Sequence, residues 1–314
     1  MLDDQRLRND ICWSPFRPGN AAITVRYAAA VSAVEAGKQR IAGVFDRAAP
    51  TYEQTGVAFF DPIGAALAER AGLRAGERVL DVGCGRGASL LPAAEAVGPS
   101  GVAAGIDLAP GMVAATAAEA RRRGLTQVHV KVGDAEAPDF PDASFDAVLG
   151  GLVLFFLPDA AAAVRAYARL LRPGGRLVLS TFTEVTDADK EWFQHLGAAL
   201  GPYLPASPEP APGSPPPPEA RLRTQQSLAD VLTDGGFSDL RFAEIAHRTV
   251  FARPEQFWDW LWSAGMRGMM ESIAPQDHDA VRTALTALVA ERLRAADGTL
   301  GWTTSIRFTT ARRP

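Results

Sequence analysis

Short apolar runs alternate with amphipathic stretches along the middle of the chain. The stretches carry apolar residues at helical spacing, whereas the runs between them are almost continuously hydrophobic. Because a strand covered on both faces loses polar alternation, this pattern is typical of a parallel sheet with helices on both sides. We therefore expect an α/β fold with a doubly wound, mostly parallel sheet. Five of its strands are predicted at about 77–82, 102–106, 128–132, 145–149 and 175–181.

The last third of the chain has a different pattern. Residues 202–220 read PYLPASPEPAPGSPPPPEA, and this density of proline excludes a helix or a central strand, so a loop or extended linker is predicted. Residues 223–245 predict a capped helix followed by a sixth strand. Residues 254–273 space aromatic and methionine side chains at helical intervals, which predicts a cap helix. Residues 301–313 alternate as a final, antiparallel strand.

Four segments are expected along the chain. Residues 1–38 show no amphipathic period, so an irregular N-terminal extension is predicted. Residues 39–182 contain N-terminal lid helices and the core of the sheet. Residues 183–222 contain a helix and the Pro-rich insertion, and residues 223–314 complete the sheet and add a helical cap.

Charge and cysteine content exclude several classes of protein. The 314 residues carry 32 basic and 36 acidic side chains, a net charge of −4, which creates no field to attract nucleic acid or an anionic membrane. Only two cysteines occur, Cys12 and Cys84, and Cys84 lies within a glycine-rich loop, so a disulfide framework is excluded and a cytoplasmic location is expected. No apolar run reaches the ~18 residues of a membrane span. We expect a monomer or homodimer without a metal site.

The segment VLDVGCGRGASL (79–90) is the most informative in the chain. It predicts a buried strand that ends at Asp81 and turns through Gly83, Gly85 and Gly87 into a helix. Glycine permits positive φ and lets a ligand lie against the main chain, and the following helix N-terminus offers unpaired N–H groups. The segment therefore predicts a site for a nucleotide-like ligand or a carboxylate.

The glycine loop is compatible with a dinucleotide or with another nucleoside cofactor. The spacing from Gly83 to Ala88 matches the dinucleotide fingerprint with alanine at its third place. However, Asp81 lies directly before the loop, where it would repel a pyrophosphate, and Gly87 adds a third alternating glycine. Asp107 follows about 20 residues past the glycines, at a strand end, where it can accept hydrogen bonds from the ribose hydroxyls of either cofactor. A turn that binds no ligand is the third interpretation.

The acidic residue and alternating glycines resemble the first motif of class I S-adenosylmethionine (SAM) methyltransferases. Segments resembling the later motifs of that family follow in order at residues 129–137, 145–159 and 169–182. SAM has no phosphate and carries a sulfonium and an ammonium, so acidic residues nearby are favourable. The resemblance implies a Rossmann-like sheet of seven strands with the last strand antiparallel, SAM as cofactor, and transfer of a methyl group.

The family motifs also imply which residues bind the cofactor. Asp107 corresponds to the ribose-binding residue, Asp134 to the residue that takes the adenine amino group, and Ala135 to a backbone contact. The complete implied set is Asp81, Gly83, Gly85, Gly87, Asp107, Leu108, Met112, Asp134, Ala135 and Gly150. An NAD-dependent dehydrogenase and a SAM-binding protein without turnover are the alternative classes, the former without an evident catalytic His, Lys or Tyr-x-x-x-Lys arrangement.

The chain departs from many small-molecule methyltransferases in the loop after the fourth strand. Gly151 stands where relatives often carry Asn, and Phe155 and Phe156 stand where they carry a His pair. A hydroxyl acceptor would lose its usual base there, so we expect a nitrogen or electron-rich carbon acceptor on a small, largely apolar metabolite of secondary metabolism. An oxygen acceptor with a base from the cap, and ring C-methylation in quinone biosynthesis, are the alternatives.

Two residues are predicted to act in catalysis. Tyr52 lies in VFDRAAPTYE, which resembles the start of quinone-ring C-methyltransferases, where N-terminal helices close over SAM. His195, on the helix before the Pro-rich insertion, is the candidate base, whereas His247 alternates within a strand and is interpreted as structural. The alternative interpretations are that Tyr52 only packs in the interior and that His195 lies at the surface. The predicted substrate-binding residues are Phe59, Phe155, Phe156, Trp258, Trp262 and Met266.

Overall fold

The computed structural model describes residues 21–205 and 222–314, with side chains described from residue 34 onward. The chain divides into a unit of Met1–Arg40 and a unit of Ile41–Pro314. Helix α1 (Ala21–Ala48) runs across this division. The sheet and every site described below belong to the larger unit.

Helix α1 corrects the expectation of an irregular extension. Residues 21–38 are helical, so that prediction is wrong for them. The segment is rich in alanine and contains no proline, and alanine has the highest intrinsic helix propensity, so helix forms here without a marked amphipathic period. Residues 1–20, which also belong to the predicted extension, lie outside the described part of the chain.

Seven strands form one sheet, as the sequence predicts. Their bounds are β1 (Arg78–Val82), β2 (Val102–Asp107), β3 (Val128–Val132), β4 (Phe145–Gly151), β5 (Leu171–Phe182), β6 (Ser238–Phe251) and β7 (Leu300–Arg312). They are arranged in the order β3-β2-β1-β4-β5-β7-β6. The first five are mutually parallel, and β7 is antiparallel to both of its neighbours. The predicted seven-stranded sheet with an antiparallel last strand is confirmed.

Helices cover both faces of the sheet. Their bounds are α2 (Phe60–Arg70), α3 (Leu90–Val97), α4 (Pro110–Arg122), α5 (Ala160–Leu170), α6 (Asp187–Leu200), α7 (Gln225–Asp234), α8 (Gln256–Ser263), α9 (Arg267–Met270) and α10 (His278–Arg292). Alternate residues of β1 enter opposite cores: Val79 packs with α2, α3 and the cap helices, whereas Leu80 packs with α5 and α7. This alternation explains why the central strands are apolar on both faces.

The predicted cap helix over 254–273 is interrupted. It forms α8 and the short α9, separated by an extended Ala264 and by Gly265. A Cβ at Gly265 would lie 3.3 Å from Cζ of Phe45, so the break brings backbone close to an aromatic side chain where a larger residue would crowd it. Most of the predicted Pro-rich loop, residues 206–221, lies outside the described residues.

The carboxyl ends of β1, β2, β4 and β5 meet at one edge of the sheet. In open α/β sheets, ligands bind at this edge, near the point where the strand order reverses. Here the reversal lies between β1 and β4, since β1 is flanked by β2 on one side and by β4 on the other. None of the helices in the described ranges combines the length and apolarity of a membrane span.

Candidate active site

The glycine loop after β1 has three residues in the left-handed region, and the space available for a side chain differs among them. Gly83, Gly85 and Gly87 have φ of +67°, +51° and +91°. A Cβ at Gly83 would lie 2.5 Å from Val153 Cγ2, and one at Gly87 would lie 2.8 Å from Leu91 Cγ. A Cβ at Gly85 would meet nothing within 4 Å. The outer two glycines are therefore required by packing within the protein, whereas the middle one leaves open space beside the backbone.

Asp81 ends β1 as a fully buried carboxylic acid. Ser89 Oγ donates to its Oδ2 at 2.6 Å, while Oδ1 is buried without a hydrogen-bond partner in the described part of the chain. Burial raises the pKa of Asp81 to about 7, with a further increase from the charge of Asp107, against the opposing hydrogen bond from Ser89. A buried, unpaired carboxylate oxygen is unfavourable unless a ligand supplies a partner, and a cationic group is the favoured one.

Asp107 ends β2 and holds the glycine loop in place. Its Oδ2 accepts the Gly85 N–H and its Oδ1 accepts the Ala109 N–H, each at 2.9 Å. Thr116 on α4 donates to the Gly85 carbonyl at 2.7 Å, an anchor that sequence analysis missed. Burial raises the pKa of Asp107, while the two backbone hydrogen bonds oppose that increase. Each carboxylate oxygen keeps acceptor capacity for a ligand hydroxyl.

The loop after β3 is fixed by two internal hydrogen bonds. Asp134 Oδ1 accepts the Glu136 N–H at 2.8 Å, and Tyr167 on α5 donates its hydroxyl to the Ala135 carbonyl at 2.7 Å. Tyr167 is fully buried, and burial raises the pKa of its hydroxyl, so it remains a donor. The contact joins residues far apart in sequence, and sequence analysis did not find it.

Gly150 and Leu108, two further residues implied by the family motifs, lie at the carboxyl ends of β4 and β2. A Cβ at Gly150 would lie 2.8 Å from Leu179 Cδ2, so packing between β4 and β5 already requires glycine there. Leu108 is half-buried between β2 and α4. Met112, on the first turn of α4, is buried against Ala49 and Tyr52.

Residues 41–59, here called the lid segment, lie on the glycine loop and on α4. Asp46 Oδ1 accepts the Gly111 N–H at 2.6 Å, and Arg86 within the glycine loop donates Nη1 to the Ala49 carbonyl at 2.5 Å. Arg47 also pairs with Glu271 of the cap at 2.5 Å. These contacts hold the segment against the glycine loop and the start of α4, and its role as a lid over a ligand stays a prediction.

Glu53 organises the end of the lid segment. It is a left-handed non-glycine residue with φ of +56°, and its carboxylate accepts backbone N–H groups of Phe59, Phe60 and Asp61 at 3.0–3.3 Å. These are donors at the start of α2, so Glu53 caps that helix from seven residues upstream of its first residue. Burial raises the pKa of Glu53, against the lowering effect of those hydrogen bonds. The cap fixes two adjacent phenylalanines.

Seven aromatic residues form a closed series of ring contacts, here called the aromatic circuit. Its centroid distances range from 4.6 Å, between Tyr52 and Phe60, to 6.5 Å, between Phe59 and Phe182. It joins the end of α1, the start of α2, the loop after β4 and the end of β5. Its members in contact order are Phe45, Tyr52, Phe60, Phe59, Phe182, Phe155 and Phe156.

Three predicted substrate residues, Phe59, Phe155 and Phe156, thus lie together with Tyr52. The cap contributes differently from the prediction. Trp258 and Trp262 contact each other and His278, at 5.4–5.9 Å. Trp260, between them in sequence, contacts Phe59 at 5.8 Å.

Helical spacing identified the cap as aromatic but did not determine which tryptophan faces the circuit. The third predicted cap residue, Met266, is 37% exposed at the break after α8. Its neighbour Gly265 approaches Phe45 and Phe156 of the circuit.

The two candidate histidines have contrasting surroundings. His195 is 35% exposed, and its Nε2 lies 3.7 Å from Oε1 of Glu191 on the same helix. His247, interpreted from the sequence as structural, lies with its ring centroid 5.4 Å from that of Phe59 and its Nε2 3.3 Å from the Ala58 carbonyl. The structure therefore brings His247, rather than His195, into contact with the aromatic circuit.

A cavity of about 320 Å³ adjoins the circuit, here called the acceptor cavity. Thr181 Oγ1, at its wall, is buried without a hydrogen-bond partner among residues 21–205 and 222–314. The Arg223 guanidinium donates to the Thr183 carbonyl at 3.3 Å, and no carboxylate of the described chain pairs with it. The lining residues are Phe155, Phe156, Thr181, Phe182, Leu222 and Arg223.

The edge of the sheet fits the cofactor that the motifs imply. The unpartnered Oδ1 of Asp81 suits an ammonium, the open space at Gly85 admits a ligand to backbone contact, and Asp107 retains capacity for ribose hydroxyls. These features fit a nucleoside-binding site of the SAM type, with an apolar wall beside it.

Comparisons with known proteins agree with this assignment. A family model described as methyltransferase domain matches residues 79–175. The chain is 39% identical over 282 residues to nocamycin O-methyltransferase of Saccharothrix syringae, covering 86% of this chain and 97% of that protein. It is 47% identical over 144 residues to aklanonic acid methyltransferase DauC of Streptomyces sp. strain C5, covering 46% of this chain and 66% of that protein.

Solved structures share the fold at low sequence identity. The protein YcgJ of Bacillus subtilis superposes with a TM-score of 0.54 at 20% identity, covering 80% of this chain and 97% of its own. The protein BH2331 of Bacillus halodurans gives 0.51 at 19% identity, covering 80% and 98%. These two structures show the shared fold. The relative matched over 97% of its own length, with the methyltransferase domain at residues 79–175, shows that this chain belongs to the SAM-dependent methyltransferase family. The predicted enzyme class and cofactor are confirmed, and the dehydrogenase alternative is set aside.

Proposed function

We propose that the protein transfers the methyl group of SAM to an oxygen atom of a small, largely apolar metabolite of secondary metabolism, and that this oxygen is already ionised at neutral pH. A carboxylate or a strongly acidic enol or phenol has this property. The observation that carries the proposal is an apolar aromatic circuit that includes no basic side chain, next to a cavity with an arginine.

The aromatic circuit supplies no general base. Six of its seven members are phenylalanines, and Tyr52 is buried. Burial raises the pKa of Tyr52 well above its usual value of 10, and the charges of Glu53, Asp107 and Asp61 raise it further. Tyr52 is therefore protonated at neutral pH, and its hydroxyl is able to donate a hydrogen bond but not to accept a proton from the acceptor. An acceptor that must lose a proton on the enzyme would find no general base in the aromatic circuit.

The acceptor cavity favours an anion. Arg223 is a permanent cation, and a hydrogen bond from Arg307 Nη1 to its carbonyl at 2.6 Å holds its backbone in place. Thr181 offers a buried hydroxyl that lacks a partner in the described structure. A carboxylate or enolate would satisfy both, since a buried polar group without a partner is destabilising. The phenylalanine walls would bind the apolar remainder of the acceptor.

The two relatives support the same choice of atom. One is named as an O-methyltransferase, and the other acts on a substrate named as an acid. The sequence analysis favoured a nitrogen or electron-rich carbon acceptor because no base was evident. An oxygen that is ionised before it binds is consistent with the same missing base.

In this proposal each part of the site has one task. Bound SAM supplies an activated methyl group on a sulfonium. Asp81 binds its ammonium, Asp107 its ribose, and Asp134 with Ala135 its adenine. The lid segment excludes water, and the aromatic circuit, Arg223 and Thr181 orient the acceptor oxygen. Alignment of this kind supplies about 7–11 kcal/mol of a displacement barrier.

The test uses matched acceptors that differ in one group. An aromatic carboxylic acid, its primary amide and the corresponding phenol are incubated with SAM, and release of S-adenosylhomocysteine is measured from pH 6 to 9. At SAM concentrations that saturate the enzyme at every pH, we expect turnover of the acid with a flat profile from about pH 6.5 to 8.5, since the acceptor is ionised throughout. Products methylated on nitrogen or carbon would contradict the proposal.

A second function is favoured by the contact between His247 and Phe59. In this alternative His247 acts as general base for a neutral hydroxyl. The rate would then fall as the pH decreases from 8 to 6, and His247→Ala would reduce turnover by ~10²–10⁴-fold at unchanged SAM affinity. A flat profile in both wild type and variant excludes it.

A further inference from the structure

A second cavity lies at the opposite edge of the sheet from the active site. It has a volume of about 580 Å³ and is formed by the connection from α2 to β1, the start of β5 and the paired strands β6 and β7. Six arginines line it, with one acidic residue, Glu77. They are Arg70, Arg74, Arg172, Arg176, Arg241 and Arg312.

Two of these arginines have evident structural roles. Arg176 is 7% exposed, pairs with Glu77 at 2.6 Å, and donates to the carbonyls of Ala71 and Gly72 at the end of α2. Burial raises the pKa of Glu77, but hydrogen bonds from Arg176 and the Arg74 N–H outweigh it and lower the pKa overall. Arg172 pairs with Asp146 at 2.6 Å.

The other four arginines have no carboxylate partner in the described ranges. The guanidinium of Arg70 lies over the ring of Phe308 at 4.2 Å and donates to the Ala66 carbonyl. Arg312 donates to the Gly174 carbonyl at 3.1 Å. Arg74 and Arg241 are exposed at the cavity. Four guanidinium groups without a carboxylate partner in the described ranges therefore lie around one concavity, in a chain whose net charge is −4. This concentration is unusual, because like charges repel one another.

We propose that this cavity, here called the arginine cavity, is a binding site for a small molecule that carries a di- or triphosphate group. Guanidinium groups bind phosphate through paired N–H donors, and several of them around one concavity match a multivalent anion better than a single charge. The volume falls within the range of small-molecule sites. Phe242, also at the cavity wall, offers an aromatic surface for a base.

The arginine cavity is separate from the SAM site. Arg176 precedes Phe182 of the aromatic circuit by six residues of β5, roughly 20 Å at about 3.3 Å per residue. The proposal is therefore independent of the acceptor, and loss of one activity need not affect the other. It can be tested with SAM affinity as an internal control for folding.

The experiment is isothermal titration of the full chain with inorganic pyrophosphate, in Mg²⁺-free buffer at 150 mM salt. We expect saturable 1:1 binding at least tenfold tighter than that of inorganic phosphate or of citrate. The double variant Arg74→Gln/Arg241→Gln should weaken pyrophosphate binding at least tenfold and leave SAM affinity unchanged. Both side chains are exposed, so the fold does not depend on them.

A charge-matched double variant, Arg121→Gln/Arg282→Gln, serves as control, because both residues are exposed and lie outside the cavity. Equal weakening in the control would show non-specific attraction and overturn the proposal, as would citrate binding equal to pyrophosphate or no binding at 150 mM salt. ADP identifies the source: tighter binding than pyrophosphate indicates a nucleotide, and equal binding indicates an inorganic polyphosphate.

Discussion

The two halves of the candidate active site are built in opposite ways. The proposed cofactor half is polar and local, since Asp81, Gly85 and Asp107 lie within one βαβ unit. Asp107 accepts the backbone N–H groups of Gly85 and Ala109, and Asp81 accepts the Ser89 hydroxyl. The acceptor half is apolar and assembled from separate segments of the chain, which meet through ring contacts. A hydrogen-bonded frame suits a cofactor of constant chemistry, whereas a packed wall can change shape with few substitutions. The following predictions test that division.

The largest effect is expected at Gly85. Gly85→Val should weaken SAM binding by at least about 100-fold, because its side chain would enter the open space at the loop and resist φ of +51°. Gly124→Val is the matched control: it has φ of +71° and equally open surroundings, but lies beyond α4. Titration calorimetry measures affinity, and thermal unfolding measures strain. Normal SAM binding by Gly85→Val would show that the loop is a turn that does not contact the cofactor.

A substitution in the acceptor half should leave the cofactor half intact. Arg223→Gln should raise KM for an anionic acceptor about 10–100-fold, the loss of an ionic hydrogen bond of about 1.5–3 kcal/mol, with unchanged SAM affinity. Arg282→Gln, at an exposed arginine outside the cavity, should have no effect. Steady-state kinetics with the acid and its amide separate the two halves. If the amide is affected as strongly as the acid, Arg223 does not recognise charge.

Asp81 should couple SAM binding to pH. Its pKa is about 7 without ligand, raised mainly by burial, and a neighbouring ammonium would lower it. Binding should therefore release a proton near neutral pH, and affinity should be full above pH 7 and decrease below it, about tenfold between pH 8 and 6. Calorimetry in buffers of different ionisation enthalpy measures the proton count. Asp81→Asn should bind more weakly without this pH dependence; a retained dependence would assign the proton elsewhere.

The smallest effect is expected at His195. Because it is partly exposed beside Glu191, His195→Ala should change turnover less than about twofold, and less than Tyr52→Phe, which alters the aromatic circuit. Turnover at saturating SAM is the measurement. A loss above ~100-fold at unchanged SAM affinity would instead make His195 the base and return a weakly acidic hydroxyl as acceptor.

The sequence predicted those parts of the site whose geometry is local. A strand, an acidic residue and alternating glycines specify one turn, so Asp81 and the loop could be located without coordinates. Contacts that join distant segments could not be predicted in this way: Tyr167 anchors the loop at Ala135, and Trp260 faces Phe59. The cap of α2 by Glu53 depends on a left-handed backbone conformation that no local motif indicated. Helical periodicity fixed neither the break at Gly265 nor which tryptophan faces inward.

The glycine loop contains a cysteine, Cys84, whose reactivity can report on the opening of the loop. Cys84 is 3% exposed, and its Sγ lies against Gly105 of β2, where burial raises the pKa of the thiol well above 9. An alkylating reagent can reach it only when the loop detaches from the strand below. In a Cys12→Ser variant, which leaves Cys84 as the single thiol, the labelling rate would time that opening, and bound SAM should slow it.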